Sequence, residues 1–302
     1  MQQKVLKLSI IVLCLISARL SPGRVFAQTN TSQILRISPI VLKVLLDPGT
    51  TQTQTITVEN LLDTPLPIRI SVEGFDAPGE EGGIQTSSQA APLTSWISLD
   101  TSEALVPAKR TRAFEARVVV PATVPIGGYG AMIFFSPVLP GKTVAAKIGV
   151  VVLANVGVAF DKKNTGDITE FRFDKQLYQE GPVKATIRVK NTSLNYFTAK
   201  PSLTIKPLFG EEKIFELEEK TILPGKTRRW QKPLDVGNLR GVIYQAHLRV
   251  SLEQGDSVSA AQTFYGLPFT KIMLSALAVA ITLYGIVFRG RAIKALRLLI
   301  KG

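Results

Sequence analysis

A chain of 302 residues, 45% of them hydrophobic, is long enough for two domains of ordinary size, and its formal charge of +13 first suggests a nucleic-acid partner. The placement of the charge argues otherwise: of 36 Lys and Arg, four fall in 1–27 and six in 271–302, where no acid occurs, so 28–270 holds 26 basic against 23 acidic residues. The bulk is nearly neutral. One cysteine (Cys14) and one histidine (His247) leave no material for a disulfide framework or a Cys/His zinc site.

In chain order, 1–27 reads as a secretory signal peptide. Lys4 and Lys7 precede the apolar run LSIIVLCLIS, and Val25 and Ala27 stand before a cleavage point at Gln28. An apolar core of about ten residues is too short to remain as a span of the roughly 30 Å hydrocarbon layer. Cys14 lies inside it, so the mature chain has no thiol.

From 34 to 265 the dominant period is two. In FEARVVV, Phe114, Ala116, Val118 and Val120 share one face. In VKATIRVK, Val183, Ala185, Ile187 and Val189 alternate with Lys184, Thr186, Arg188 and Lys190. In YQAHLRVSL, Tyr244, Ala246, Leu248, Val250 and Leu252 alternate with polar residues, which puts His247 on a wet face and out of catalysis. The run IGVVVLANVGVAF (148–160) is apolar on both sides and reads as a central or interface strand. GGYG (127–130) lacks the spacing of a phosphate loop and reads as a flexible turn before the strand AMIFFSP. Pro-Gly pairs at 48–49, 78–79, 140–141 and 224–225 mark turns.

These signals predict an all-β ectodomain of two tandem immunoglobulin-like β-sandwiches, 34–160 and 166–265, with the boundary in DKKNTGD (161–167). A degenerate repeat supports the pair. PGTTQTQTITVEN (48–60) parallels EGPVKATIRVKN (180–191), each ending in Asn, and LVPAKRTRAF (105–114) resembles ILPGKTRRWQ (222–231).

Candidate chemistry is sparse. Asp76, Glu80 and Glu81 in DAPGEEGG (76–83) are the one acidic cluster to weigh for calcium, but the ligand spacing is absent and a solvated hairpin loop is the preferred reading. Trp96 and Trp230 read as core anchors rather than sugar platforms, and FELEE (215–219) as a charged strand end. Asn30 and Asn191 stand in N-x-[ST] contexts. A carboxylate glycosidase would need two facing acids roughly 5 to 9 Å apart. No catalytic, cofactor or metal residue is assigned, and the chain is read as a non-enzyme without a small-molecule substrate.

The ending IMLSALAVAITLYGIVF (272–288) is uncharged and reaches about 26 Å as a helix. With Lys271 snorkelling, 271–288 is expected to be a single transmembrane helix. Arg289, Arg291, Lys294 and Arg297 then make 289–302 a basic cytoplasmic tail and leave the strand-rich mass outside. The tail is amphipathic, fit for an anionic leaflet and not for nucleic acid.

The segments ISPIVLKVLLDPGTTQTQTITVEN and VPATVPIGGYGAMIFFSP resemble the WxL-interacting surface proteins of Gram-positive bacteria, over about 38–160. That family has a signal peptide, two immunoglobulin-like domains, a membrane helix and a basic tail. The resemblance implies a non-enzymatic, single-pass cell-surface protein that binds cell-wall polymer or other surface proteins; no individual binding residue is carried over. The alternative expectation is a chaperone-like assembly factor for surface structures that acts by strand donation and presents an exposed apolar edge in its first domain.

Overall fold

The computed structural model describes residues 34–87, 91–138, 147–157, 163–237, 239, 242–267 and 269–301. The expected signal peptide, Asn30, the turn at 140–141 and part of the expected boundary lie outside the described residues.

The first sandwich is built from β1 (Leu35–Ser38), β2 (Val41–Leu46), β3 (Thr51–Asn60), β4 (Leu66–Asp76), β5 (Gln85–Ser87), a five-residue helix α1 (Pro92–Trp96), β6 (Ile97–Leu99), β7 (Glu103–Val106), β8 (Thr111–Val119), β9 (Gly127–Pro137) and β10 (Ile148–Val156). One sheet has the order β1-β3-β8-β6; the other runs β2-β10-β9-β4-β5, with β7 also on β4. The chain changes sheets between β1, antiparallel to β3, and β2, parallel to β10. The second sandwich contains β11 (Gly166–Phe173), β12 (Leu177–Tyr178), β13 (Val183–Asn191), β14 (Phe197–Pro207), β15 (Lys213–Glu216), β16 (Lys220–Ile222), β17 (Thr227–Leu234), β18 (Ile243–Leu252) and β19 (Val258–Gly266). It repeats the plan, with β11-β13-β17 facing β12-β19-β18-β14-β15, β16 on β14, and β12 parallel to β19. Two tandem immunoglobulin-like sandwiches are therefore present.

Alternation explains the cores. Phe114, Ala116 and Val118 of β8 are buried and their neighbours exposed; Val183, Ala185, Ile187 and Val189 of β13 are buried; Tyr244 to Leu252 of β18 alternate without a break, leaving His247 exposed. The one irregularity is Thr186 of β13, which is buried as well. Trp230 sits in the second core and donates its indole N–H to the Glu218 carbonyl at 2.8 Å. Trp96 ends α1, buried, with its ring centroid 4.7 Å from that of Tyr129. At each such site the indole body is apolar and only one N–H needs a partner.

The repeat extends to hydrogen bonds. The Asn60 amide donates to the Thr64 carbonyl at 2.8 Å and the Val106 carbonyl at 3.0 Å, and its oxygen accepts the Leu62 N–H at 2.9 Å. Asn191 does the same with the Asn195 and Ile222 carbonyls, both at 2.8 Å, and the Ser193 N–H at 2.8 Å. Both side chains are fully buried. Each ties the loop after its strand to the short strand before the next turn. Glycosylation of Asn191 is thereby excluded in the folded chain, since both amide protons are spent inside.

The second half of the repeat shifts by one residue. The Asn60 N–H bonds the Arg110 carbonyl where the Asn191 N–H bonds the Lys226 carbonyl, so Arg110 matches Lys226, not Thr227. Lys109, at φ +55°, then stands where Gly225 stands at φ +71°. The turn demands a left-handed residue, and that demand sets the register in place of letter similarity.

After β19 a helix, α2, runs Phe269–Lys301, 33 residues that contain the whole of 272–288. Among the described residues, no helix is long and apolar enough to cross a membrane. The expected span is thus a helix by its backbone, while its crossing of a bilayer is taken up below as a proposal.

Replacing Asn191 by Ala removes its bonds to the buried Ile222 carbonyl, the part-buried Asn195 carbonyl and the Ser193 N–H, a cost of about 2–3 kcal/mol. Urea denaturation of the full chain in micelles, followed by tryptophan fluorescence, is expected to show that loss, and Asn60→Ala a similar one. A change below half that size would contradict the tethering role.

Candidate functional site: the interdomain cleft

Residues 148–160 were expected to form a central or interface strand; 158–160 lie outside the described residues, and β10, Ile148–Val156, does both. Val150, Val152, Ala154 and Val156 face the first core. Val151, Leu153 and Asn155 face the second sandwich, with Leu153 and Asn155 buried. The Asn155 amide donates to the Tyr196 carbonyl and accepts the Tyr196 N–H, both at 3.0 Å, so a side chain pairs with backbone as a strand would. The Tyr196 hydroxyl donates to the Leu153 carbonyl at 3.3 Å. Burial, with the Glu253 charge nearby, pushes its phenol up and keeps it protonated as a donor.

Close approach requires the glycines of β9. GGYG is not a turn before a strand: Gly127–Pro137 is strand throughout. A Cβ on Gly128 would meet the Tyr196 nitrogen at 2.9 Å, and one on Gly130 would strike the Phe75 ring at 2.7 Å. The missing side chains admit the other domain at one position and a flat aromatic at the other. Gly128 also donates its N–H to the Leu194 carbonyl at 2.8 Å. Beside this contact, Lys43 of β2 donates to the Thr198 hydroxyl at 2.8 Å and to Glu253 at 3.4 Å. Burial works to raise the Glu253 pKa, but the bonds from Thr198 and the Lys43 charge outweigh it and hold it low.

The acidic turn 76–83, expected as a solvated loop, is a clasp on the second sandwich. Glu80 accepts from Arg188 Nε at 2.7 Å, Glu81 from Arg229 Nε at 2.8 Å, and Asp76 from Lys226 Nζ at 2.8 Å. The Arg229 N–H bonds the Glu80 carbonyl at 2.9 Å, and buried Arg228 donates to the Gly79 carbonyl at 3.2 Å. Each of the three carboxylates weighed for calcium is paired with a cation of the second sandwich. Among the described residues no group of three or more His, Cys, Asp or Glu could hold a metal ion.

Between these contacts lies a cleft of about 330 Å³. Val41, Phe75, Ile84, Val151 and Leu153 form its apolar wall; Glu218, Glu219, Lys220, Leu223 and Arg228 face them from the second sandwich. FELEE thus ends its strand at Glu216 and spends its last two acids on the cleft. Three carboxylates line the space, yet Glu81 pairs with Arg229, Glu218 with Lys220 at 3.0 Å and Glu219 with Lys200 at 3.2 Å. The Arg229 bond holds Glu81 below the ordinary carboxylate value, the reverse of what a general acid needs. The cleft offers apolar surface and fixed charge of both signs, which suits binding.

Among the described residues, one edge beside the cleft is only partly covered. β2 pairs with Val151–Val156 of β10, while β9 pairs with Ile148–Val156, so Ile148–Val150 extend past β2. The Val151 N–H is taken by the Ile40 carbonyl at 2.9 Å, and by alternation the Gly149 N–H points to the same open side. Sequence reasoning missed Asn155 and the clasp. The signal for Asn155 was its place as the one polar side chain in an apolar run.

No family model matches the chain, and no curated protein does. Among solved structures, the class 5 fimbriae chaperone CfaA is similar at 12% identity, with a TM-score of 0.43 over 76% of this chain and 98% of that one. A chaperone–tip adhesin complex of CFA/I fimbriae biogenesis is similar at 10% identity, TM-score 0.42, over 76% and 98%. The CsuC–CsuE pre-assembly complex of the Csu pili of Acinetobacter baumannii is similar at 12% identity, TM-score 0.40, over 76% and 98%.

The clasp carries a pH signature. Lys226 and then the Ala77 N–H lower the Asp76 pKa from its ordinary 3.8, and Arg229 lowers that of Glu81 from 4.5. Depressed carboxylates stabilise the clasp above their ordinary values and release it as pH falls through the depressed ones. Energy transfer between dyes on the two sandwiches is expected to hold from pH 8 to 5 and to drop at lower pH. Arg229→Ala should lower it already at pH 7; a flat profile in both would contradict the clasp.

Proposed function

We propose that this chain is a non-enzymatic binding protein, held at the cell surface by one membrane helix, that takes an extended segment of another surface protein along the open start of β10 beside the interdomain cleft. The observation that carries this reading is the overhang of Ile148–Val150 past β2, next to Val41, Val151 and Leu153. An added strand gains main-chain hydrogen bonds from the edge and specificity from a pocket for alternate side chains. An apolar wall opposed by Lys220, Arg228, Glu218 and Glu219 fits a segment with apolar residues on one side and charges of both signs on the other.

The anchor is supported by the uncharged seventeen residues at 272–288 inside a 33-residue helix, by the cations that follow, and by the signal-like N-terminus. It would confine the sandwiches near the membrane and raise their effective concentration for neighbours. The resemblance to WxL-interacting proteins points the same way and adds cell-wall polymer as a second ligand class.

The open edge also favours a second reading, a chaperone-like factor that lends its strand to surface subunits during assembly. The two differ in how long the partner stays. A photo-reactive residue at Val41 of the full chain, activated in intact cells, is expected to cross-link a surface protein. Under the first reading that protein remains bound to the mature chain; under the second it is captured only before assembly. With the photo-reactive residue kept at Val41, Ile84→Glu, at an exposed position of the same apolar wall, is expected to cut the adduct about tenfold or more, the equivalent of 1.4 kcal/mol. Retention on purified peptidoglycan without a protein adduct would move the ligand to the wall polymer. Absence of both, or a full-length chain that washes off membranes in carbonate, would overturn the proposal.

A further inference from the structure

The end of the second sandwich from which α2 departs carries an unusual share of exposed apolar side chains. Pairing places these residues together: Pro207 lies opposite Tyr244, Ile243 opposite Tyr265, and Tyr265 beside Leu177 of β12. The Leu208 N–H bonds the Ile243 carbonyl at 2.8 Å, and the Gly266 N–H bonds the Val242 carbonyl at 3.1 Å. Leu177, Leu208, Phe209, Val242 and Tyr265 therefore crowd one end, and all are exposed, Phe209 at 74%. Elsewhere between 166 and 267, the exposed large hydrophobics among the described residues are Leu194 and Ile214.

That end is fixed to the helix. The Leu267 N–H bonds the Tyr178 carbonyl at 2.8 Å, and α2 begins at Phe269, itself exposed, within about 7 Å of chain. Resting on the reading of α2 as a membrane anchor, we infer that this end of the second sandwich docks on the bilayer surface, with the β14–β15 tip, Leu208 and Phe209, inserted among the lipids. A two-residue connection leaves the domain no room to stand away from a bilayer that the helix enters. Tyr265 and Phe269 would sit at headgroup level, where aromatic rings with one polar end concentrate.

Charge argues for insertion over electrostatic adsorption. Lys175, Glu180, Glu211, Glu212 and Lys213 around the patch are exposed and of both signs, so an anionic surface is not favoured. Docking is expected on a zwitterionic bilayer and to be insensitive to salt.

The test uses the full chain with Cys14→Ser and a spin-labelled Phe209→Cys, reconstituted in phosphatidylcholine vesicles. Leu105→Cys, on an exposed position of the first sandwich, is the comparison. The Phe209 label is expected to collide with oxygen more than with a water-soluble nickel complex, its nickel accessibility several-fold below that of the Leu105 label and unchanged in high salt. Equal nickel accessibility at the two positions, with the chain resistant to carbonate, overturns the docking and leaves the anchor standing. A chain extracted by carbonate overturns both. Shielding from both reagents with spectra broadened by label–label proximity assigns the patch to a second copy and overturns the lipid proposal.

Discussion

The outward face of β9 and β10 is apolar, and covering it is the constraint on which the two-domain arrangement depends. In most sandwiches the outer face of a sheet meets water and alternates with the core face. Here Met132, Phe134, Leu153 and Asn155 are buried although their neighbours in sequence already fill the first core. Two devices protect that face. Glycines at 130 and 149 let Phe75, Phe134 and Met132 lie flat across it, and Gly128 lets the Leu194–Tyr196 loop of the second sandwich reach its backbone. Asn155 then matches the loop's polar backbone, which would be costly to bury unpaired. Apolar cover and a satisfied amide together make the contact specific as well as favourable.

The clasp solves a different problem. Arg188 of β13 and Arg229 of β17 are paired across strands, a like-charge arrangement that opposes sheet formation. Glu170, opposite Arg188 on β11, offsets part of it. The remainder is met from the first sandwich by Glu80 and Glu81. Partly exposed ion pairs gain little energy in water, so these acids orient the second sandwich more than they hold it. The buried contact at Asn155 holds; the acidic turn sets the angle of approach, and with it the width of the cleft.

Legibility in the sequence follows range. Strand faces were readable residue by residue in β8, β13 and β18, because a period of two is a local property. The Asn60 and Asn191 tethers were visible as a repeated letter at a strand end, though not their hydrogen bonds. The repeat in the following turn was misread by one residue, because Lys109 adopts the left-handed conformation that letters assign to Gly225. The clasp was invisible: Glu80 and Arg188 are 108 residues apart, and a turn with three acids looks the same whether water or arginine answers it. GGYG misled for a related reason. Glycine in a strand signals close approach, but only the partner, here Tyr196, distinguishes that from a turn.

The open start of β10 gains meaning from what is closed around it. An exposed strand edge invites unselective pairing, and proteins usually blunt it. Here β2 covers six residues of β10 and stops, and the cleft between the sandwiches, held by Asn155 and the clasp, is lined beside that point by Val41 and Val151. On the proposed reading, an incoming strand would have to fit the apolar and charged walls of the cleft as well as extend the sheet. On that reading, selectivity would come from the neighbouring domain and affinity from the edge. Loosening the clasp would trade the first for the second without altering a residue of β10.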